Sequence, residues 1–168
     1  DTDNLIFPEH GSNEALVIVD EPRTDLSTAE VVVRGRYVNQ RMAVVPMEPD
    51  CCAAEVGDDG RLTFWASTQM PHGLHGQLAG ALGMEPADIR VITPQVGGGF
   101  GGKAGIHHEY TVVAAAARRT GRPVAWVPPR SDDMKALPHS RGQVQYVELG
   151  STREGDFTGL KVRLVGDA

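Results

Sequence analysis

Residues 97–102 read GGGFGG, and no other stretch of this 168-residue chain limits its fold so strongly. Five of the six residues lack a Cβ, and ordering them costs more backbone entropy than ordering any other residue type. Such a run suits a place where the backbone must approach something closely. A strand is predicted before it, over 89–93, stopped by Pro94; a helix is predicted after it, over 106–120, with an alanine-rich stretch at 112–117. Two nucleotide-binding motifs fit part of this pattern. Gly97, Gly99 and Gly102 satisfy the GxGxxG spacing between a strand and a helix. That fingerprint also needs an acidic residue about 20 positions on for the ribose, and residues 118–122 read RRTGR. Gly97, Gly102 and Lys103 satisfy most of a P-loop, but Ala104 stands where a Ser or Thr hydroxyl must hold Mg²⁺. What remains is a bare backbone able to meet a bulky or anionic group, with successive N–H groups as donors and a helix N-terminus near 106 adding its dipole. Phe100 is the one side chain on the loop. A plain connecting turn is the competing reading.

The rest of the chain mixes strands and helices. Residues 31–38, VVVRGRYV, read as a strand rich in β-branched residues; the apolar run 42–47 carries Pro46, and Glu48-Pro49 after it forces an extended or turn conformation. Strands over 51–56 and 62–67 flank Gly57-Asp58-Asp59-Gly60, a hairpin turn signal. Leu74, Leu78, Ala81 and Leu82 share a face of a helix over 72–82, with Gly83 as its C-terminal cap. A strand over 124–127, a short helix N-capped by Ser131, and two strands over 143–149 and 157–165 complete the reading. The expected class is α+β, with helices packed on one face of a mixed sheet and several β-hairpins. Residues 1–30 form a weakly patterned N-terminal segment. The chain opens without Met and stops at a strand end, so it is expected to be an excised piece of a longer protein.

Composition removes several function classes. The net charge is −6, from 22 acidic against 16 basic residues, which argues against a nucleic-acid or anionic-membrane binder. No apolar run approaches the ~20 residues of a membrane span. Cys51 and Cys52 are adjacent and form no disulfide framework, which suits packing roles in a cytoplasmic protein. His72 and His75, and the group His107, His108 and Glu109, are too few to specify a metal site and are expected to be structural or solvated; Arg34, Arg36 and Arg41 read as a solvated strand face.

Four blocks then read together: Met47-Glu48-Pro49, Ser67-Thr68-Gln69, Gln95 to Lys103 (QVGGGFGGK) and Gly121-Arg122-Pro123-Val124. In order and spacing they resemble the molybdenum-binding subunit of the xanthine dehydrogenase, aldehyde oxidase and carbon monoxide dehydrogenase family. The likeness runs from about residue 31 to 168, so that span is expected to be part of a molybdopterin-binding domain. The resemblance implies molybdopterin, in the cytosine dinucleotide form usual in bacteria, with no protein side chain ligating the metal. It implies that Gln69 contacts the oxygen side of the cofactor, that Phe100 and Gly101 border the metal, and that Gly98, Gly99 and Gly102 admit the cofactor to the loop. The implied activity is oxidation of aldehydes or heteroaromatic carbons, small-molecule substrates, with oxygen from water, in the cytoplasm. The implied partners are the rest of the molybdenum subunit and FAD-binding and 2Fe-2S subunits or domains. Ala104 stands where purine-specific members carry glutamate, and no cysteine follows Cys52 to hold copper, so neither chemistry is implied. The family's general-base glutamate belongs to a later motif, so the isolated chain is expected to be inactive. The alternative is a stand-alone binding or assembly domain that keeps the fold without the chemistry.

Overall fold

The computed structural model describes residues 4–6, 8–14, 16–19 and 26–166. They fold as two units. One spans 41–140; the other combines the described residues up to Gln40 with those from Arg141 onward.

The first unit is built on a mixed four-stranded sheet of order β4-β3-β2-β5. Strands β2 (Cys52–Val56) and β3 (Leu62–Ala66) form the expected hairpin, closed by Gly60 at φ +79° and by the Gly57 N–H donating to Arg61 O at 2.9 Å. Helix α1 (Pro71–Leu82) then crosses over to β4 (Ile89–Ile92), which pairs parallel to β3. Gly83 caps α1 in the left-handed conformation, as its position implied. Helix α2 (His108–Thr120) leads to β5 (Val124–Trp126), antiparallel to β2. Alternation along β2 and β3 sends Cys52, Ala54, Leu62, Phe64 and Ala66 to one face. There they meet Leu74 and Leu78 of α1 and Tyr110, Val113, Ala114 and Ala117 of α2 in one core. The aliphatic and alanine residues that dominate the composition are what fill it.

The second unit is a three-stranded sheet of order β1-β6-β7. Its strands are β1 (Val31–Met42), β6 (Ser140–Ser151) and β7 (Phe157–Gly166). The pairing of Val147 with Val162 and Leu149 with Leu160 sets an apolar face, while Glu148 with Lys161 and Tyr146 with Arg163 set a charged one. Leu160, Val162 and Leu164 are exposed.

Several boundaries differ from the sequence expectations. Strand β1 runs four residues past Val38, and β6 begins at Ser140, through left-handed Arg141 and Gly142. The two late strands form a separate sheet with β1, their cross-strand partners being each other and β1. Ser131 does not cap the short helix α3 (Arg130–Ala136). The helix begins two residues earlier, Pro129 takes the cap position, and the Ser131 hydroxyl reaches Asp132 at 3.4 Å.

Candidate functional site

Parallel strands leave a sheet at the same end. Ser67-Thr68-Gln69 follows β3, and the chain that becomes the glycine loop follows its parallel neighbour β4. The two exits are stitched together at Lys103: the Gln69 N–H donates to Lys103 O at 2.9 Å and the Thr68 hydroxyl donates to the same oxygen at 3.2 Å.

A third segment, residues 44–48, lies against the loop as a strap. Val44 and Pro46 are buried and Glu48 half-buried, while Val45 and Met47 are exposed. A Cβ on Gly97 would come within 2.6 Å of Glu48 Cβ, one on Gly102 would run into Val44, and one on Gly99 would run into the Gln69 amide. The glycines are therefore required on the side where strap and Gln69 press. At Gly101, φ is +91° and the Cβ position meets nothing, so the loop opens there onto free space. Phe100 is itself left-handed, at φ +51°, and 61% exposed. A non-glycine residue pays roughly 1–2 kcal/mol for that conformation, so the surrounding bonds must impose it.

Those bonds centre on two side-chain oxygens. Gln69 Oε1 accepts the N–H groups of Gly101 (2.9 Å) and Lys103 (3.3 Å). Both partners can only donate, so the atom facing them is the amide oxygen, and Gln69 Nε2 is left without a partner among the described residues. Glu48 Oε2 accepts from the Ser67 hydroxyl (2.5 Å), the Gly97 N–H (2.8 Å) and Lys103 Nζ (3.0 Å). Burial pushes the Glu48 carboxyl up, but the Ser67, Gly97 and Lys103 donors outweigh it and hold the group below its ordinary value of 4.5. The N–H groups of Gly98, Gly99 and Phe100 have no partner among the described residues. Three successive free donors on a nearly side-chain-free arch suit an anionic, bulky group. The donor set therefore fits a pterin–metal cofactor carrying phosphate and oxo groups.

A second buried web lies at Asp50. Tyr110 donates its hydroxyl to Asp50 Oδ1, and His107 Nε2 stands 3.7 Å from Oδ2 with no hydrogen bond of its own among the described residues. The Asp50 N–H donates to Asp133 Oδ1 at 2.8 Å. Arg130 pairs with Asp133 at 2.6 Å and donates to the carbonyls of Pro46 (2.6 Å) and Met47 (3.0 Å). Here burial wins over the Tyr110 bond and the His107 charge, and the Asp50 carboxyl is pushed up. The same burial pushes the Tyr110 phenol up.

The structure thus brings Gln69 to the loop, with Gly99 and Gly101 in direct reach, and keeps Gly98, Phe100 and Gly102 on one arch. It removes two features of the nucleotide-like readings. The Lys103 side chain is fully buried and turned inward, so it is no phosphate-reaching lysine. Helix α2 starts only at His108, with residues 103–107 between it and the arch. His75 Nε2 bonds Pro86 O (3.0 Å) and Ile89 O (3.1 Å), a structural tie, while His72 is exposed. Cys52 is buried, and its thiol is pushed up to about 12, chiefly by that burial. Arg34 pairs with Glu148 at 2.8 Å on the charged face of the second unit. The bonds joining Glu48, Ser67 and Lys103 had no local signal, since the partners lie 19 to 55 positions apart. The only cue is a lysine ending a glycine run with no acid beside it.

The family described as molybdopterin cofactor-binding domain matches residues 6–168. The large subunit of nicotine 6-hydroxylase from Paenarthrobacter nicotinovorans is 35% identical over 142 residues, which is 84% of this chain and 17% of that protein. The carbon monoxide dehydrogenase large chain of Afipia carboxidovorans is 30% identical over 153 residues, 89% of this chain and 19% of that protein. Among solved structures, quinoline 2-oxidoreductase from Pseudomonas putida 86 superposes with a TM-score of 0.69 at 31% identity, over 87% of this chain and 19% of that one. The chain spans less than a fifth of the length of these relatives.

Proposed function

The chain belongs to the molybdopterin cofactor-binding domain family, and from that premise we propose that it forms part of the cofactor wall of a molybdenum hydroxylase. The observation that carries the proposal is the Gln69 amide. Its oxygen is taken up by the Gly101 and Lys103 N–H groups, so its Nε2 is the donor left to face a bound group beside the arch. When bound, the cofactor supplies the two-electron oxidation that puts oxygen from water onto carbon. The chain's own residues bind and orient. Gln69 Nε2 donates a hydrogen bond to the cofactor. The N–H groups of Gly98, Gly99 and Phe100 receive its anionic part. Gly101 admits it to contact distance, Gly102 lets the arch seat on Val44, and the exposed Phe100 ring walls the substrate side.

The proposed substrate class is aldehydes or electron-poor heteroaromatic carbons. Two relatives carry such a ring, nicotine and quinoline, in their names. The proposed cofactor form is the cytosine dinucleotide. Electrons leave to 2Fe-2S and FAD groups on partner subunits or domains, in the cytoplasm. No helix among the described residues is long and apolar enough to cross a membrane. The segment 31–168 acts as part of the cofactor-binding domain, and the remainder of the site comes from the rest of the molybdenum subunit. On this reading the 168 residues alone turn over no substrate.

Two measurements on the native protein test the proposal. Molybdenum and pterin should co-purify near one per chain. Gln69→Ala should lower kcat at least tenfold with KM within about twofold, at unchanged molybdenum content, as expected for a contact that strengthens in the transition state. An unchanged kcat at full loading removes Gln69 from the mechanism.

A further inference from the structure

Lys103 joins three segments that are far apart in sequence. Its N–H and C=O bond Gln69 and Thr68, as any residue's backbone could. Its ammonium does what only a lysine side chain of this reach can do. Nζ donates to Ser67 Oγ at 2.6 Å, to Glu48 O at 2.8 Å and to Glu48 Oε2 at 3.0 Å, so its three donors are all used, and the residue has no exposed surface.

The oxygen that Nζ shares with the loop is the informative one. Glu48 Oε2 also accepts the Gly97 N–H, so the first residue of the arch and the residue just past its end meet on one carboxylate oxygen. That clasp fixes the span of the arch. Between its feet the chain takes positive φ at Gly98 (+98°), Phe100 (+51°) and Gly101 (+91°). The Gly101 and Lys103 N–H groups that orient Gln69 Oε1 belong to the same clasped stretch. If the feet part, the two donors separate and the Gln69 amide loses its orientation.

We propose that Lys103 is a positioning residue for the cofactor: by clasping both feet of the 97–102 arch to Glu48, it holds Gln69 Nε2 and the free arch N–H groups in the geometry that retains the cofactor. The proposal rests on the reading of the arch as a molybdopterin site. A lysine that only balanced the Glu48 charge would make a different prediction. Removing the ammonium strands a partly buried carboxylate, and that cost disappears when the carboxylate is neutralised too.

The test compares Lys103→Met, Glu48→Gln and the double variant in the native protein, with whatever further chain and subunits it carries. Three quantities are read: molybdenum per chain by elemental mass spectrometry, hydrogen exchange of the peptide covering 97–103, and the thermal midpoint. Lys103→Met is expected to lose at least fivefold in molybdenum and to exchange at least tenfold faster over 97–103. The double variant is expected to regain the wild-type midpoint but neither the molybdenum nor the slow exchange. Molybdenum that returns together with the midpoint overturns the proposal, as does wild-type molybdenum in Lys103→Met. Should Lys103→Met fail to fold, Glu48→Gln keeps the side-chain shape and carries the comparison: about threefold faster exchange and lower molybdenum are expected, and wild-type values of both overturn the proposal. A wild-type protein without molybdenum overturns the cofactor reading itself, which the variants do not decide.

Discussion

Glu48 ends the strap and Asp50 lies two residues beyond it, and their carboxylates live in opposite surroundings. Glu48 is half-buried and meets three donors on one oxygen, so its charged form is favoured and its pKa falls. Asp50 is 4% exposed, burial dominates, and its pKa rises. One web closes around an ammonium and borders an exposed arch. The other is packed between α2 and α3 and leaves His107 Nε2 without a hydrogen bond among the described residues. The strap is thus gripped twice: Glu48 holds it to the arch, and Arg130 and Asp133 hold its carbonyls and the Asp50 N–H to α3. The contrast teaches that two neighbouring carboxylates are tuned in opposite directions: hydrogen-bond donors win beside the bare backbone, and burial wins where the segment is anchored in the core.

The harshest way to break this contrast is Asp133→Ala. It removes an ion pair and a strap bond from a side chain with no exposed surface and leaves Arg130 unpaired. About 3 kcal/mol of protection should be lost from the β2 amides in hydrogen exchange; a loss under 1 kcal/mol would show that the second web does not anchor the strap. Gly99→Ala comes next. Its Cβ would run into the Gln69 amide, so one or the other must move, at about 1–3 kcal/mol, with faster exchange of the Gly101 and Lys103 amides.

A subtler probe uses pH, and the signs are opposite. The Glu48 value is depressed, so its stabilisation is complete above its ordinary 4.5 and is lost as pH falls through the lower folded value. The Asp50 value is raised, so ionising it costs nothing below its ordinary 3.8; the cost grows as pH rises toward the folded value and then stays constant. Relative to wild type, Glu48→Gln should therefore become more destabilising as pH rises from 3 to 7, and Asp50→Asn less so. Parallel slopes in chemical melts of the two variants would erase the distinction drawn between the webs. The smallest effect belongs to Ser131→Ala, expected within about 0.5 kcal/mol because Ser131 caps nothing.

Local signals were legible and non-local ones were not. The Gly57–Gly60 turn, the Gly83 cap and the inward Leu74 and Leu78 of α1 are set by neighbours in sequence and stand where periodicity and turn chemistry put them, whereas Ala81 of the same predicted face is exposed and Ala79 is buried instead. Of the site, the arch and Gln69 could be named from residues 67–69 and 95–103, with the family resemblance supplying the reason to pair them. The inward turn of Lys103 could not, because a glycine run ending in lysine also satisfies an outward, phosphate-reaching motif. Ser67 and Glu48, 36 and 55 positions away, decide between the two. Ser131 shows the same limit in small: a good cap residue loses its place when the helix starts at Arg130, with Pro129 as its cap two residues earlier.

The β2–β3 hairpin turn sits at the far end of β3 from Ser67. Five strand residues separate them, about 17 Å of chain, and residues 57–61 are all exposed. That end of the sheet is a natural handle. A dye, an epitope or a surface tether placed between Asp58 and Asp59 would report on or capture the protein without touching the segment that carries Gln69.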